Sequence, residues 1–211
     1  MTLKDVVLFP NAIMPLRIFE KRYRLMLSEV LKSDRMFAIV AQRDKVGTDE
    51  QIDEPPFEVA TAGLIRVSKT NTDGTSLVML EGISRVRIES IANETPYRVL
   101  NIQPFDTIVD NEKPVPRNDI LEAMRQNHML RGEVTKEILD YVSRVKDDSA
   151  FVDLVAYALC HRTIRKQAML EIQRLHKRAE MLLNDILSIN MQLSIQGSFP
   201  ESDLGKNMER N

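Results

Sequence analysis

Apolar positions recur with two different periods along this chain, and the period changes near its middle. Up to about residue 104 the apolar runs are short and rich in β-branched residues. From about residue 118 they return every three or four positions, as on one face of a helix. In the first half, residues 6–9 predict a strand ending at Pro10, followed by a loop that holds Met14, Pro15 and Leu16. Residues 20–31 place Tyr23, Leu27, Val30 and Leu31 at helical spacing with charges between them. Residues 36–42 are nearly all apolar and of strand length, which predicts a buried strand. Residues 57–70 and 75–91 read as two long strands. Asp73-Gly74 marks the turn between them, because Gly accepts the positive φ that a tight turn requires. Along the second strand Val78, Leu80, Gly82, Ser84, Val86 and Ile88 fall on one face, with Arg85 and Arg87 on the other. Gly82 inside that strand predicts a bulge or sharp bend. Residues 97–103 complete the strand set.

The segment PFDTIVDNEKPVPRND, with three prolines and several charges, reads as a linker. It predicts a sheet unit over 1–104, a linker over 105–117, a helical bundle over 118–196 and a polar tail over 197–211. Asn118 is a plausible cap for the first bundle helix. Val134, Ile138, Val142 and Val145 form one stripe of the next, with Leu139 beside it. DDSAFVDLVAYALC starts at a cap, Asp148 or Ser149, and is apolar nearly all round, which suits the central helix. The closing segment is long and amphipathic and should break near residues 171–173.

Composition narrows the function classes. The chain has 211 residues, 43% hydrophobic and 28% charged, enough for one large or two small cores. A net charge of −2 gives no global attraction to nucleic acid or to anionic membranes. With 5% aromatics and no Trp, a base-stacking platform would be thinly supplied. The one cysteine, Cys160, excludes an intrachain disulfide and fits a reducing compartment. No signal-peptide pattern opens the chain, and no stretch approaches the roughly 18 apolar residues of a membrane span. The expectation is a cytoplasmic protein.

Catalytic and cofactor signatures are missing from the residues. His128, His161 and His176 have no i+4 histidine partner, so metal-ligand spacing is absent. Cys160 and His161 are chain neighbours, which on a helix points them about 100° apart and makes a poor nucleophile–base pair. None of the seven glycines has the spacing of a phosphate-binding loop, and no G-x-S-x-G elbow exists. The expectation is no enzyme activity, no metal and no cofactor. A basic run across residues 161–178 offers either a solvated helix face or a contact for an acidic partner.

Three stretches together resemble the N-terminal substrate-binding domain of Lon protease. They are LKDVVLFPNAIMPLRIFEKRYRLM, DGTSLVMLEGISRVRI, and DDSAFVDLVAYAL followed by RKQAMLE and a long closing helix. The resemblance runs from Leu3 to Leu193. It implies an α+β fold, a PUA-like β-barrel followed by a helical bundle. PLRIFEKRYRLM is close to the pattern of stand-alone Lon-domain proteins, which makes that reading the leading one. Its function would be a non-enzymatic protein-binding module for unfolded or client proteins, with protease subunits or further copies as possible company. The alternatives are the recognition segment of a full ATP-dependent Lon serine protease and, from another class, a PUA-like RNA-binding protein. Phe9, Met14, Ile18 and Phe19 are expected to be partly exposed and to contact clients. Glu20, Lys21 and Arg22 match the charged start of the family's first helix and join them as candidates.

Overall fold

The long hairpin read from Asp73-Gly74 is the spine of the fold. The computed structural model describes residues 1–45 and 53–197; the tail after Gly197 and residues 46–52 of the acidic loop lie outside the described residues. Six strands form one mixed sheet: β1 (Thr2–Leu3), β2 (Ile13–Ile18), β3 (Met36–Ala41), β4 (Val59–Thr70), β5 (Ser76–Asn93) and β6 (Val99–Pro104). Their order is β1-β3-β4-β5-β2, and β6 also pairs with β5. Among these six strands β1 and β3 pair in parallel and the other pairs are antiparallel. Helix α1 (Lys21–Val30) joins β2 to β3. This is the expected α+β class. At the hairpin, Gly74 adopts φ 76° and the Asn71 N–H donates to the Thr75 carbonyl at 2.8 Å.

Two strand assignments need correction. Residues 6–9 form no strand but run under the sheet, where the Leu8 carbonyl accepts from Thr61 Oγ1 at 2.6 Å. The strand is instead β2, built from the residues read as a loop. Pro15 is tolerated there because, among the described residues, β2 is an edge strand paired only with β5. The missing N–H faces the free edge. Ile13, two residues earlier, points its carbonyl off that same edge toward the Tyr157 hydroxyl at 3.5 Å.

The bulge predicted at Gly82 is present. Gly63 pairs with Gly82 but Ala62 pairs with Ser84, leaving Ile83 as the extra residue. Its effect on phase went unread. Before the bulge Val78 and Leu80 point in; after it Ser84 is exposed and Arg85 is 4% exposed. Arg85 therefore lies inside, not on the outer face. Gly82 cannot carry a side chain, since a Cβ there would stand 2.1 Å from the Phe9 carbonyl oxygen.

The second half holds α2 (Arg117–Met129), α3 (Lys136–Ser143), α4 (Asp148–Leu159), α5 (Thr163–Glu171) and α6 (Leu175–Gly197). The break between α5 and α6 falls where the pattern placed it. Helix α4 is capped one residue earlier than expected, by Asp147, whose carboxylate accepts the Ala150 N–H at 2.7 Å. It buries Phe151, Val152, Val155, Ala156 and Leu159, which makes it central. One hydrophobic core runs through both halves, joining Leu8, Phe9, Ile18 and Leu80 to Phe151, Val155, Leu170 and Leu182. A smaller cluster of Val40, Ala60, Ala62 and Val86 covers the other side of the sheet.

The halves also meet through buried charge. Arg85 on β5 pairs with Asp153 on α4 at 2.5 Å, and its Nε donates to the Leu170 carbonyl at 3.1 Å. Arg178 on α6 sets its Nε 3.1 Å from the same Asp153 oxygen without closing a hydrogen bond. Its terminal nitrogen donates to Thr107 and Ser149, each at 3.2 Å. Burial, with Arg85 adding to it and Asp153 opposing it, pulls the Arg178 pKa down to about 10. The connection through 105–117 is tied in as well. Phe105 is buried, and Ile108 exchanges backbone hydrogen bonds with Gln173 and Leu175 at 2.9 and 3.0 Å.

Candidate functional site

Strand alternation sorts β2 into two faces. Met14, Leu16 and Ile18 point inward; Ile13, Pro15 and Arg17 point outward. On β5 the outward set before the bulge is Leu77, Met79 and Glu81, and on β4 Val67 and Lys69 join it. The register aligns them. Pro15, Met79 and Val67 form one row across three strands, with Ile13 in the row before it and Leu77 in the row after. Ile13 is 53% exposed, Val67 57%, Leu77 50% and Met79 37%. Neighbouring strands lie about 4.8 Å apart and same-face residues about 6.8 Å apart. The patch is therefore continuous, rigidly held and long enough for three or four extended residues. Contiguous exposed apolar surface of this kind marks an interaction site.

The structure separates the residues singled out in the sequence. Phe9 and Ile18 are 0% exposed and Met14 is 7% exposed, so the expected partial exposure of these three is corrected. Met14 and Ile18 share the inward parity of Leu16, and Phe9 lies under the sheet. Phe19 is 62% exposed at the end of β2. Arg22 is held by Glu54 at 3.0 and 2.6 Å and by Glu20 at 2.9 Å, and lies 4.5 Å over the Tyr23 ring. These bonds raise its already high pKa. Lys21 is exposed. Sequence reading missed Ile13, Val67, Leu77 and Met79. The signal was available, since Leu77 and Met79 make the hairpin strand apolar on both faces.

No reactive pair forms in the helical half. Cys160 caps α4, is 7% exposed, and burial pushes its thiol pKa up, away from the reactive thiolate. His161 is engaged by Glu133. Among the described residues no group of His, Cys, Asp and Glu could hold a metal, and no helix is long and apolar enough to cross a membrane. The basic run is committed internally only in part, and Arg162, Arg174 and Lys177 are exposed. Arg165 pairs with Asp185, Lys166 donates to the Tyr157 carbonyl at 2.9 Å, and Arg178 is buried.

The family model for the ATP-dependent protease La (LON) substrate-binding domain matches residues 1–187. The chain belongs to this family. The LON domain is 29% identical over 200 residues to the Lon protease of Haemophilus influenzae, covering 90% of this chain and 25% of that protein. Against Escherichia coli Lon protease it is 25% identical over 183 residues, covering 86% of this chain and 23% of the relative. It thus spans about a quarter of the length of the curated relatives it matches. The N-terminal domain of Mycobacterium avium complex Lon protease superposes with a TM-score of 0.67 at 17% identity, covering 89% of this chain and 96% of that one. A Lon N-terminal domain protein from Xanthomonas campestris gives 0.61 at 19% identity, covering 87% and 95%. These structures establish the shared fold.

Proposed function

We propose that this LON domain is a non-enzymatic recognition module that binds unfolded client proteins on the outward face of β2, β5 and β4. The observation that carries the reading is the solvent-open apolar strip of Ile13, Val67, Leu77 and Met79, aligned in register on three strands. Unfolded chains differ from folded ones in offering extended apolar segments, and such a strip matches them in shape and hydrophobicity. Met79 adds adaptability, because a thioether side chain repacks against varied partners. The family's substrate-binding description supports the same role.

The test is binding of fluorescently labelled, reduced casein. Met79→Asp is expected to weaken it at least tenfold, about 1.4 kcal/mol, with the melting temperature nearly unchanged because the position is open to solvent. Apolar capture should also change little from low to moderate salt. Unaltered casein affinity in a folded Met79→Asp variant would contradict the proposal. The fourfold greater length of the relatives favours a second setting, in which the same face feeds clients to ATPase and protease modules. A phosphate-binding loop encoded downstream of Asn211 would place it there. By itself the purified chain is expected neither to hydrolyse ATP nor to cleave casein. Turnover abolished by a point substitution in this chain would overturn that expectation.

A further inference from the structure

The apolar strip ends in a basic row. Arg17 pairs with Leu77 and Leu77 with Lys69, so both cations stand on the outward face, one row beyond Pro15, Met79 and Val67. Both are exposed. Lys21 and Arg24 line an open cleft between α1 and the hairpin, together with Thr70, Gly74 and Ser76. The turn also carries a carboxylate, Asp73. Thr75 donates its N–H and its hydroxyl to it at 2.9 and 2.8 Å. Those bonds, helped by Arg17 and Arg24, hold the Asp73 carboxyl below its usual range. At the other end of the strip Arg66 and Glu81 pair with each other. Asp73 stays ionised and offsets one charge among Arg17, Lys69 and Arg24, so this end of the strip remains net cationic while the other is compensated.

The geometry also selects a docking mode. The free edge of β2 is a poor template for an added strand. Pro15 in its middle has no N–H to offer, and the Ile13 carbonyl already accepts from Tyr157. A client is therefore held by its side chains, across the face.

We infer that this face selects extended apolar segments flanked on one side by acidic residues, running along the strands with the acidic end over Arg17 and Lys69. The inference rests on the client-binding reading above and specifies its substrate class. Rows lie about 6.8 Å apart, two residues of extended chain. The acidic residue accordingly falls two positions from the side chain seated on Met79.

Fluorescence anisotropy on the full chain tests this with two labelled peptides. They share a leucine, valine and phenylalanine core and end in either two aspartates or two lysines, the first placed two positions beyond the core. The wild-type chain is expected to bind the aspartate peptide about three- to tenfold tighter at low salt, a difference that shrinks as salt rises. The Arg17→Glu, Lys69→Glu double variant should reverse the preference. A second double variant, Arg17→Ala with Lys69→Ala, should erase it, and serves if charge reversal disturbs folding. Met79→Asp should lose both peptides. Equal affinity for the two peptides in wild type, with both lost in Met79→Asp, overturns the charge preference and leaves client binding standing. Full binding of both by folded Met79→Asp overturns the client site itself. Tight binding of a single-stranded RNA oligonucleotide that Arg17→Glu, Lys69→Glu removes, with no discrimination between peptides, reassigns the basic row to nucleic acid.

Discussion

Asp153→Ala should destabilise the fold by about 3–5 kcal/mol, because it leaves two guanidinium groups buried without a counter-ion. Asp153 is 0% exposed, Arg178 0% and Arg85 4%, and the cluster holds two cations and one anion before any substitution. Removing the anion leaves no carboxylate against either arginine. The loss is a large share of the 5–15 kcal/mol margin typical of a domain, and urea denaturation read by circular dichroism measures it directly. Arg66→Ala is the contrasting control. Its ion pair with Glu81 is about half exposed, so its removal should cost less than about 1 kcal/mol. The division of the chain into units at residues 1–104 and 118–196 is a proposal that the same variant probes. Thr107 bonds to Arg178, and Ile108 pairs with the start of α6. Loosening the charge cluster should therefore speed protease cleavage within residues 106–117. A loss under about 1 kcal/mol with unchanged cleavage would show that apolar packing alone joins the two halves.

Ile18→Asp is expected to abolish folding at ordinary temperatures, while Phe19→Asp should melt within a few degrees of wild type. Adjacent in sequence, the two residues are 0% and 62% exposed. A carboxylate at Ile18 would be enclosed by the main core with no cation placed to meet it. The penalty is several kcal/mol, comparable to the whole stability margin. At Phe19 the new charge stays in water and removes only exposed apolar surface. Met14→Asp should follow Ile18→Asp in direction. A folded Ile18→Asp chain with a wild-type melting temperature would mean that β2 presents its other face outward.

These two adjacent residues also show what the sequence could and could not disclose. Helix positions, the hairpin turn and the break between α5 and α6 rest on local signals, namely period, a Gly with positive φ, and caps. The period, the turn glycine and the break were legible; the caps were not, since α2 starts at Arg117 with Asn118 inside it and α4 is capped by Asp147. Strand β2 was not, because two prolines within six residues imitate a loop; only the pairing with β5 shows that Pro15 sits harmlessly on an edge. A segment that imitates a loop gives no reason to apply strand alternation to it. Met14, Leu16 and Ile18 were then not recognised as one face. The candidate strip was hidden for a related reason. Leu77 and Met79 look like core when the inward face is assumed to be the apolar one, yet this sheet is apolar on both faces at that point. Arg85 was misplaced because Gly82 signals a bulge without saying which residue becomes the extra one. Its partners Asp153 and Arg178 lie 68 and 93 positions away, beyond any local pattern.

That extra residue, Ile83, constrains how the chain can change over generations. Under strict alternation, odd-numbered positions from Leu77 onward would all face water, Arg85 among them. The one-residue insertion switches parity, so a single continuous strand shows Met79 to solvent and Arg85 to the interior. Substitutions can therefore accumulate independently on the two stretches of β5, the exposed apolar strip on one side and buried charge on the other. A change of length between them cannot. Losing or gaining one residue between Gly82 and Arg85 would either turn the apolar strip inward or drive an arginine out of its pocket. Descendants of this chain are free to vary the exposed strip, but only with the count of residues between the two stretches held fixed.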